Sequence, residues 1–182
     1  MKLFELISLI AFIGLSVWLT YGFIFESQID TPRFELIKKT SRYSIRYYPK
    51  LILASTALDT DNSSFRHLFK FIDGNNSTNT KISMTAPVIM NTESMMFVLP
   101  ELSDIPEPNN QTVVITSLTH IKVAVIGFSG STSKADRYKQ TLRSYLTQDG
   151  LSTTNRWYLS QYNSPFVFPV FRKNEIWIEL SD

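Results

Sequence analysis

Apolar positions along this chain fall into three rhythms, each implying a different kind of element. The first is an unbroken run: residues 6–25 carry no charge over 20 positions. A bilayer core roughly 30 Å thick needs about that many residues as a helix. Trp18 and Tyr21 lie toward its far end, where amphipathic rings favour the interface. A cleaved signal peptide has a shorter apolar stretch, about 7–15 residues, and a small-residue cleavage site. This run instead ends Tyr21-Gly22-Phe23-Ile24-Phe25-Glu26. Residues 1–26 are therefore expected to be an N-terminal membrane anchor, or an uncleaved signal, with 27–32 a polar linker and 33–182 the folded domain. Lys2 favours an inside N-terminus, whereas Arg33, Lys38, Lys39 and Arg42 follow the run closely and pull the other way. The expectation is a single-pass protein with its domain on the outer, periplasmic or extracytoplasmic, side.

The second rhythm has a period of two. Tyr43, Ile45 and Tyr47 alternate with Ser44 and Arg46, and 34–39, 43–48 and 51–58 suit strands. Further strands are expected at 81–91, 95–99, 111–118, 122–128, 156–162 and 175–180. Pro87 implies an edge or a bulge, and Pro100, Pro106 and Pro108 mark 100–111 as a loop. The third rhythm is helical. Over 63–73, Phe65, Leu68, Phe69 and Ile72 form one stripe, capped by Asn62 or Ser63 and closed by Gly74. Arg66, His67 and Lys70 fall outside that stripe. Over 135–146, Ala135, Tyr138, Leu142 and Tyr145 form another, with Gly150 beyond it.

These elements read as strand, strand, helix, strand, strand, twice over. Met84-Thr85-Ala86-Pro87 and Tyr162-Asn163-Ser164-Pro165 take the same place after their helices, as in a weak internal repeat. The expected class is α+β: two pseudo-repeated β-β-α-β-β halves forming antiparallel sheets or a distorted barrel flanked by two helices. A cleft between a helix and a sheet edge is the natural ligand site.

Composition narrows the chemistry. Hydrophobic residues make up 43% and charged residues 19%, with a formal net charge of +2, so a packed core is expected and a nucleic-acid-binding basic surface is not. The absence of cysteine removes disulfides, thiolate metal sites and thiol nucleophiles. There is no P-loop, dinucleotide fingerprint, zinc helix or serine elbow. The only histidines are His67 and His120, and Glu101, Asp104 and Glu107 read as solvated loop charges. Without a convergent acid, base or metal set, the expectation is a binding protein, not an enzyme. Asn62, Asn75, Asn76 and Asn110 each begin an N-glycosylation sequon.

Several stretches together are more specific. Thr31-Pro32-Arg33-Phe34-Glu35-Leu36-Ile37 opens the domain, and Tyr43-Ser44-Ile45-Arg46-Tyr47-Tyr48 follows. Then come Phe69-Lys70-Phe71-Ile72-Asp73-Gly74-Asn75, Lys81-Ile82-Ser83-Met84-Thr85-Ala86-Pro87-Val88 and Phe128-Ser129-Gly130. Tyr162-Asn163-Ser164-Pro165 and Asn174-Glu175-Ile176-Trp177 close the set. In this order and spacing the chain resembles the SOUL haem-binding protein family, over roughly residues 32–180.

The resemblance implies a fold of two pseudo-repeated halves, like that of bacterial effector-binding domains. It implies reversible, non-covalent binding of haem or another tetrapyrrole in a shallow hydrophobic cleft beside the first helix, in a carrier, buffer or sensor. Some members carry a histidine, proposed as axial iron ligand, where this chain has Tyr47. Lys70 stands where the family has a lysine near the ligand, and Arg66 lies one turn earlier, so the two could pair with two propionates. Phe69 is expected at the cleft wall, and Phe166 and Phe168 in an apolar loop that borders the cleft. His67 is a second candidate for the iron. Trp177 and Glu175 belong to the C-terminal motif; Trp177 is expected buried and Glu175 paired with a base such as Arg46. The readings left open are an interaction or structural module that kept this fold without haem, and a sensor for another amphipathic ligand.

Overall fold

The computed structural model describes residues 5, 7–10, 12–14, 29–60, 63–164 and 167–181. In chain order the domain comprises β1 (Glu35–Lys39), β2 (Ser44–Ala57), α1 (Ser63–Ile72), β3 (Val88–Met90), β4 (Ser94–Val98), β5 (Val114–Ser129), α2 (Ala135–Gln148), β6 (Thr153–Gln161) and β7 (Lys173–Leu180). Every strand pairing is antiparallel. The ring β2-β4-β3-β6-β7-β5 closes through β2–β5, which makes a six-stranded barrel. β1 stands outside the ring, on the edge of β2 that β4 takes farther along.

Two of the expected strand breaks are absent. Residues 43–48 and 51–58 merge into β2, and 111–118 and 122–128 merge into β5. The two long strands pair from Ser44↔Val125 to Ser55↔Val114. Pro49 and His120 face each other between Tyr48↔Ile121 and Lys50↔Thr119. Pro49 has no N–H to give, and His120 adopts φ +55°, so one irregularity on each strand cancels and the ladder continues. The repeat is therefore β-α-β-β, as β2-α1-β3-β4 and β5-α2-β6-β7, with β1 added. Exchanging the halves maps the ring onto itself, with β2 beside β5 and β3 beside β6.

Strand alternation divides the core into three. Tyr48, Leu51, Leu53, Val123, Val125, Tyr158 and Trp177 fill the barrel. Ala54, Phe97 and Val113, on its outer surface, receive Leu68, Phe71 and Ile72 of α1. Ile45, Ala124, Ile176 and Ile178 receive Ala135, Leu142 and Leu146 of α2. Each helix thus seals one outer patch of a closed barrel.

On α1 the buried residues are Ser64, Leu68, Phe71 and Ile72. Phe69, placed in the stripe by periodicity, is 47% exposed; Phe71 takes the core position instead. Ser64 donates to Ala57 O (2.9 Å) and accepts from the Asp59 N–H (2.7 Å), which ties the helix start to β2. Gly74, at φ +109°, ends the helix as expected.

Asp30, within the expected linker, bridges Thr85, and the Ala86 N–H donates to Asp30 O at 2.8 Å. The domain thus begins earlier than residue 33. The described residues among 5–14 are helical, with Ile7, Leu9, Ile10, Phe12 and Ile13 exposed. Among the described residues no helix is long and apolar enough to cross a membrane; residues 1–4, 6, 11 and 15–26 of the expected anchor lie outside the described residues. Asn76 is buried, its side chain bonded to Phe71 O and Thr80 O, so its sequon is closed in the folded domain.

Candidate functional site

The outward side of α1 follows from its register. Ser64, Leu68, Phe71 and Ile72 face the barrel, which turns Arg66 and Lys70 to solvent one helical turn apart. Neither makes an ion pair among the described residues. Beside them Phe65 packs edge-on against Phe97 of β4 (5.2 Å between centroids) and stacks on Phe69 (6.1 Å). Half of Phe69 stays in water on a shelf that begins in the core. His67 is partly buried, but it lies about 160° around the helix from Phe69. By the same rotation Arg66 lies about 60° from Phe69, whereas Lys70 lies about 100° from Phe69 and about 60° from His67, so the two cations face outward between a Phe69 flank and a His67 flank.

Tyr47 lies elsewhere. It is on the outer face of β2, five residues before Ile52, which packs beneath α1. That spacing is about 16 Å along the strand. Its hydroxyl meets His120 Nδ1 at 2.6 Å. His120 carried no signal in the sequence beyond its residue type, because the contact depends on the β2–β5 register. Phe168 is 49% exposed at the start of a 3-10 turn, Pro169–Phe171. The turn lies beside the end of β5, where the Gly130 N–H donates to Arg172 O (3.0 Å). Phe166 lies outside the described residues.

The most organised polar group is inside the barrel, near the end where β2 and β7 begin. Arg46 donates to both oxygens of Glu175 (2.9 and 3.0 Å). Glu175 Oε2 also accepts from the Tyr162 hydroxyl (2.6 Å) and Trp177 Nε1 (3.0 Å). Burial raises the Glu175 carboxyl, but the bonds from Arg46 and Tyr162 outweigh it and hold it below its ordinary value. Burial and the adjacent carboxylate push Tyr162 well up, and burial pushes Tyr48 up to about 12. Phe34 covers the Arg46 guanidinium at 4.5 Å, and Tyr48 stacks on Trp177 at 5.0 Å. Four bonds converge on the Glu175 carboxylate and tie β2, β7 and Tyr162 together at this end of the barrel, whereas Ser160 Oγ, on the residue paired with Glu175, is buried without a hydrogen-bond partner among the described residues. Among the described residues no three His, Cys, Asp or Glu side chains converge as a metal site.

Comparison with known proteins agrees with this architecture. In fold the chain is similar to the C-terminal domain of EcmrR, with TM-score 0.58 at 13% identity, over 78% of this chain and 98% of that one. It is likewise similar to a hydrolase from Listeria innocua, with TM-score 0.55 at 9% identity, over 80% and 94%. At such identities the likeness concerns the fold alone. In sequence it is 31% identical over 158 residues to heme-binding protein 2 of Homo sapiens, covering 75% of this chain and 77% of that protein. It is 29% identical over 158 residues to the Mus musculus protein of the same name, with the same coverage. A family model described as SOUL heme-binding protein matches residues 29–179, from the segment that pairs with Thr85 to the buried end of β7, and the chain belongs to that family.

Proposed function

We propose that this chain binds haem or a related tetrapyrrole, reversibly and non-covalently, on the Phe65–Phe69 flank of α1. It acts as a carrier, buffer or sensor held at a membrane by its N-terminal segment, without catalysing a reaction. The observation that carries the reading is the junction on α1 of an exposed aromatic shelf with two exposed cations that make no ion pair among the described residues. A flat apolar ring gains roughly 25 cal/mol for each Å² of apolar surface it covers, and propionates suit Arg66 and Lys70. These residues fit the rim of the ligand. They do not supply an iron ligand: His67 lies about 160° around α1 from Phe69, and the Tyr47 hydroxyl is engaged by His120. Bound haem would contribute its iron and macrocycle; the chain contributes the apolar surface and the charge. The membrane part of the reading is supported by the uncharged run over 6–25 and by the exposed apolar side chains of its described residues.

A haemin titration of the full chain in detergent, followed by the Soret band, tests the site. Saturable one-to-one binding is expected, with metal-free protoporphyrin bound about as tightly because no side chain holds the iron. Replacing Arg66 and Lys70 together by Glu should weaken binding about tenfold or more, and Phe69→Ala should weaken it too. Tyr47→Phe should leave the spectrum unchanged. A spectrum altered by His67→Ala would move the ligand to the opposite flank. Haemin affinity unchanged by the double charge reversal would overturn the site. The engaged Tyr47 hydroxyl favours a second reading, in which the fold persists as an interaction module or as a sensor for another amphipathic ligand. A folded chain with no saturable haemin binding would establish that alternative.

A further inference from the structure

One end of the barrel, where β2, β3 and β7 begin and β6 ends, is far more apolar than an aqueous surface requires. Val170 is 63% exposed, Phe171 66% and Phe168 49%. They follow one another on the Pro169–Phe171 turn, which is tied by the Phe171 N–H to Phe168 O (2.9 Å) and by Arg172 Nε to Val167 O (2.9 Å). A fixed turn that exposes consecutive large apolar side chains marks a contact surface. Cations surround it. Lys134 reaches Ser129 O (3.2 Å), and Lys173 lies over the Tyr162 ring (4.5 Å). Arg172 belongs to the turn itself.

The N-terminal segment joins the domain at this same end. Gln161 pairs with both Val88 and Asn174, so Thr85, residues 162–164 and 172, and the start of β7 lie together. Asp30 is fixed to Thr85 and Ala86 there, and Phe34 then covers Arg46. The uncharged run ends at Phe25. Five residue steps span at most about 18 Å in any conformation. A tether embedded through residue 25 therefore holds this end of the barrel, and not the opposite one, against the headgroups.

We propose that this end is a bilayer-docking surface: Phe168, Val170 and Phe171 enter the boundary between headgroups and acyl chains, and Lys134, Arg172 and Lys173 meet anionic phosphates. The inference rests on the tethered reading of residues 6–25. It also gives that reading an orientation.

The absence of cysteine makes the test direct. Full-length Val170→Cys and Asn155→Cys are labelled with bimane and reconstituted into phosphatidylcholine–phosphatidylglycerol vesicles, which are then floated on a gradient. Asn155 is exposed near the start of β6, at the opposite barrel end. The expected result is flotation of both. The label at 170 should shift to the blue and be quenched by a lipid-borne nitroxide, while the label at 155 stays water-like. Flotation with both labels water-like would overturn the docking surface and leave the tether standing. Failure to float would remove the tether and the docking surface together.

Discussion

Glu175 Oε2 accepts from a guanidinium, a phenol and an indole at once, and that crowding decides how the site tolerates change. Removing either member of a buried ion pair costs about 3–5 kcal/mol, because the other charge is left uncompensated. Arg46→Ala and Glu175→Ala should each lower the urea midpoint accordingly. The exchange Arg46→Glu with Glu175→Arg should recover little, since the Tyr162 hydroxyl and the Trp177 N–H would then face a cation. Full recovery in urea melts would show the network to be a simple pair. The same geometry sets a pH dependence. A carboxyl held below its ordinary value of 4.5 stabilises the fold fully above that value, and the contribution fades as pH falls below it. Urea melts between about pH 6 and pH 3 should show this loss, and Glu175→Gln should flatten it. The motif residues suggested the Arg46–Glu175 pair. The donors Tyr162 and Trp177 were not legible as a group, because 14 residues separate them and the barrel closure brings them together.

At the scale of the element, α1 separates two questions that periodicity had merged. Leu68 is fully buried, whereas Phe69 is 47% exposed. Leu68→Ala should cost about 2–5 kcal/mol, while Phe69→Ala should stay within roughly 0.5 kcal/mol of the parent and act on ligand affinity. Equal destabilisation by the two in urea melts would place Phe69 in the core and remove the shelf. The sequence offered three phenylalanines, Phe65, Phe69 and Phe71, to one helix. Any two neighbouring stripes were apolar enough to bury, so the pattern alone misjudged which faced inward. The bond from Ser64 to Ala57 O, a link to the preceding strand, fixes the rotation. By contrast α2 presents a single stripe, and Ala135 and Leu142 are buried as expected.

The whole molecule is a barrel sealed by two helices on separate outer patches. Leu68 and Leu142 belong to different clusters, each fully buried. Their alanine variants should therefore combine additively within about 0.5 kcal/mol. A larger coupling in the double-mutant cycle would mean that the barrel wall transmits strain between the patches. The amino-acid sequence by itself determined the α+β class, both helices, most strands, the repeat and the family, because these are recorded in local period, turn residues and ordered motifs. It also supplied the cations and aromatics of α1. Only the tertiary structure decided that β2 and β5 run unbroken, since the pairing continues on both sides of the gaps left at 49–50 and 119–121 by the sequence pattern. It alone decided that Tyr47 bonds His120, that His67 and Phe69 part to opposite flanks, and that the N-terminal segment enters beside the apolar turn. Each of these depends on register or rotation between elements distant in the chain, and local sequence patterns do not encode that relation.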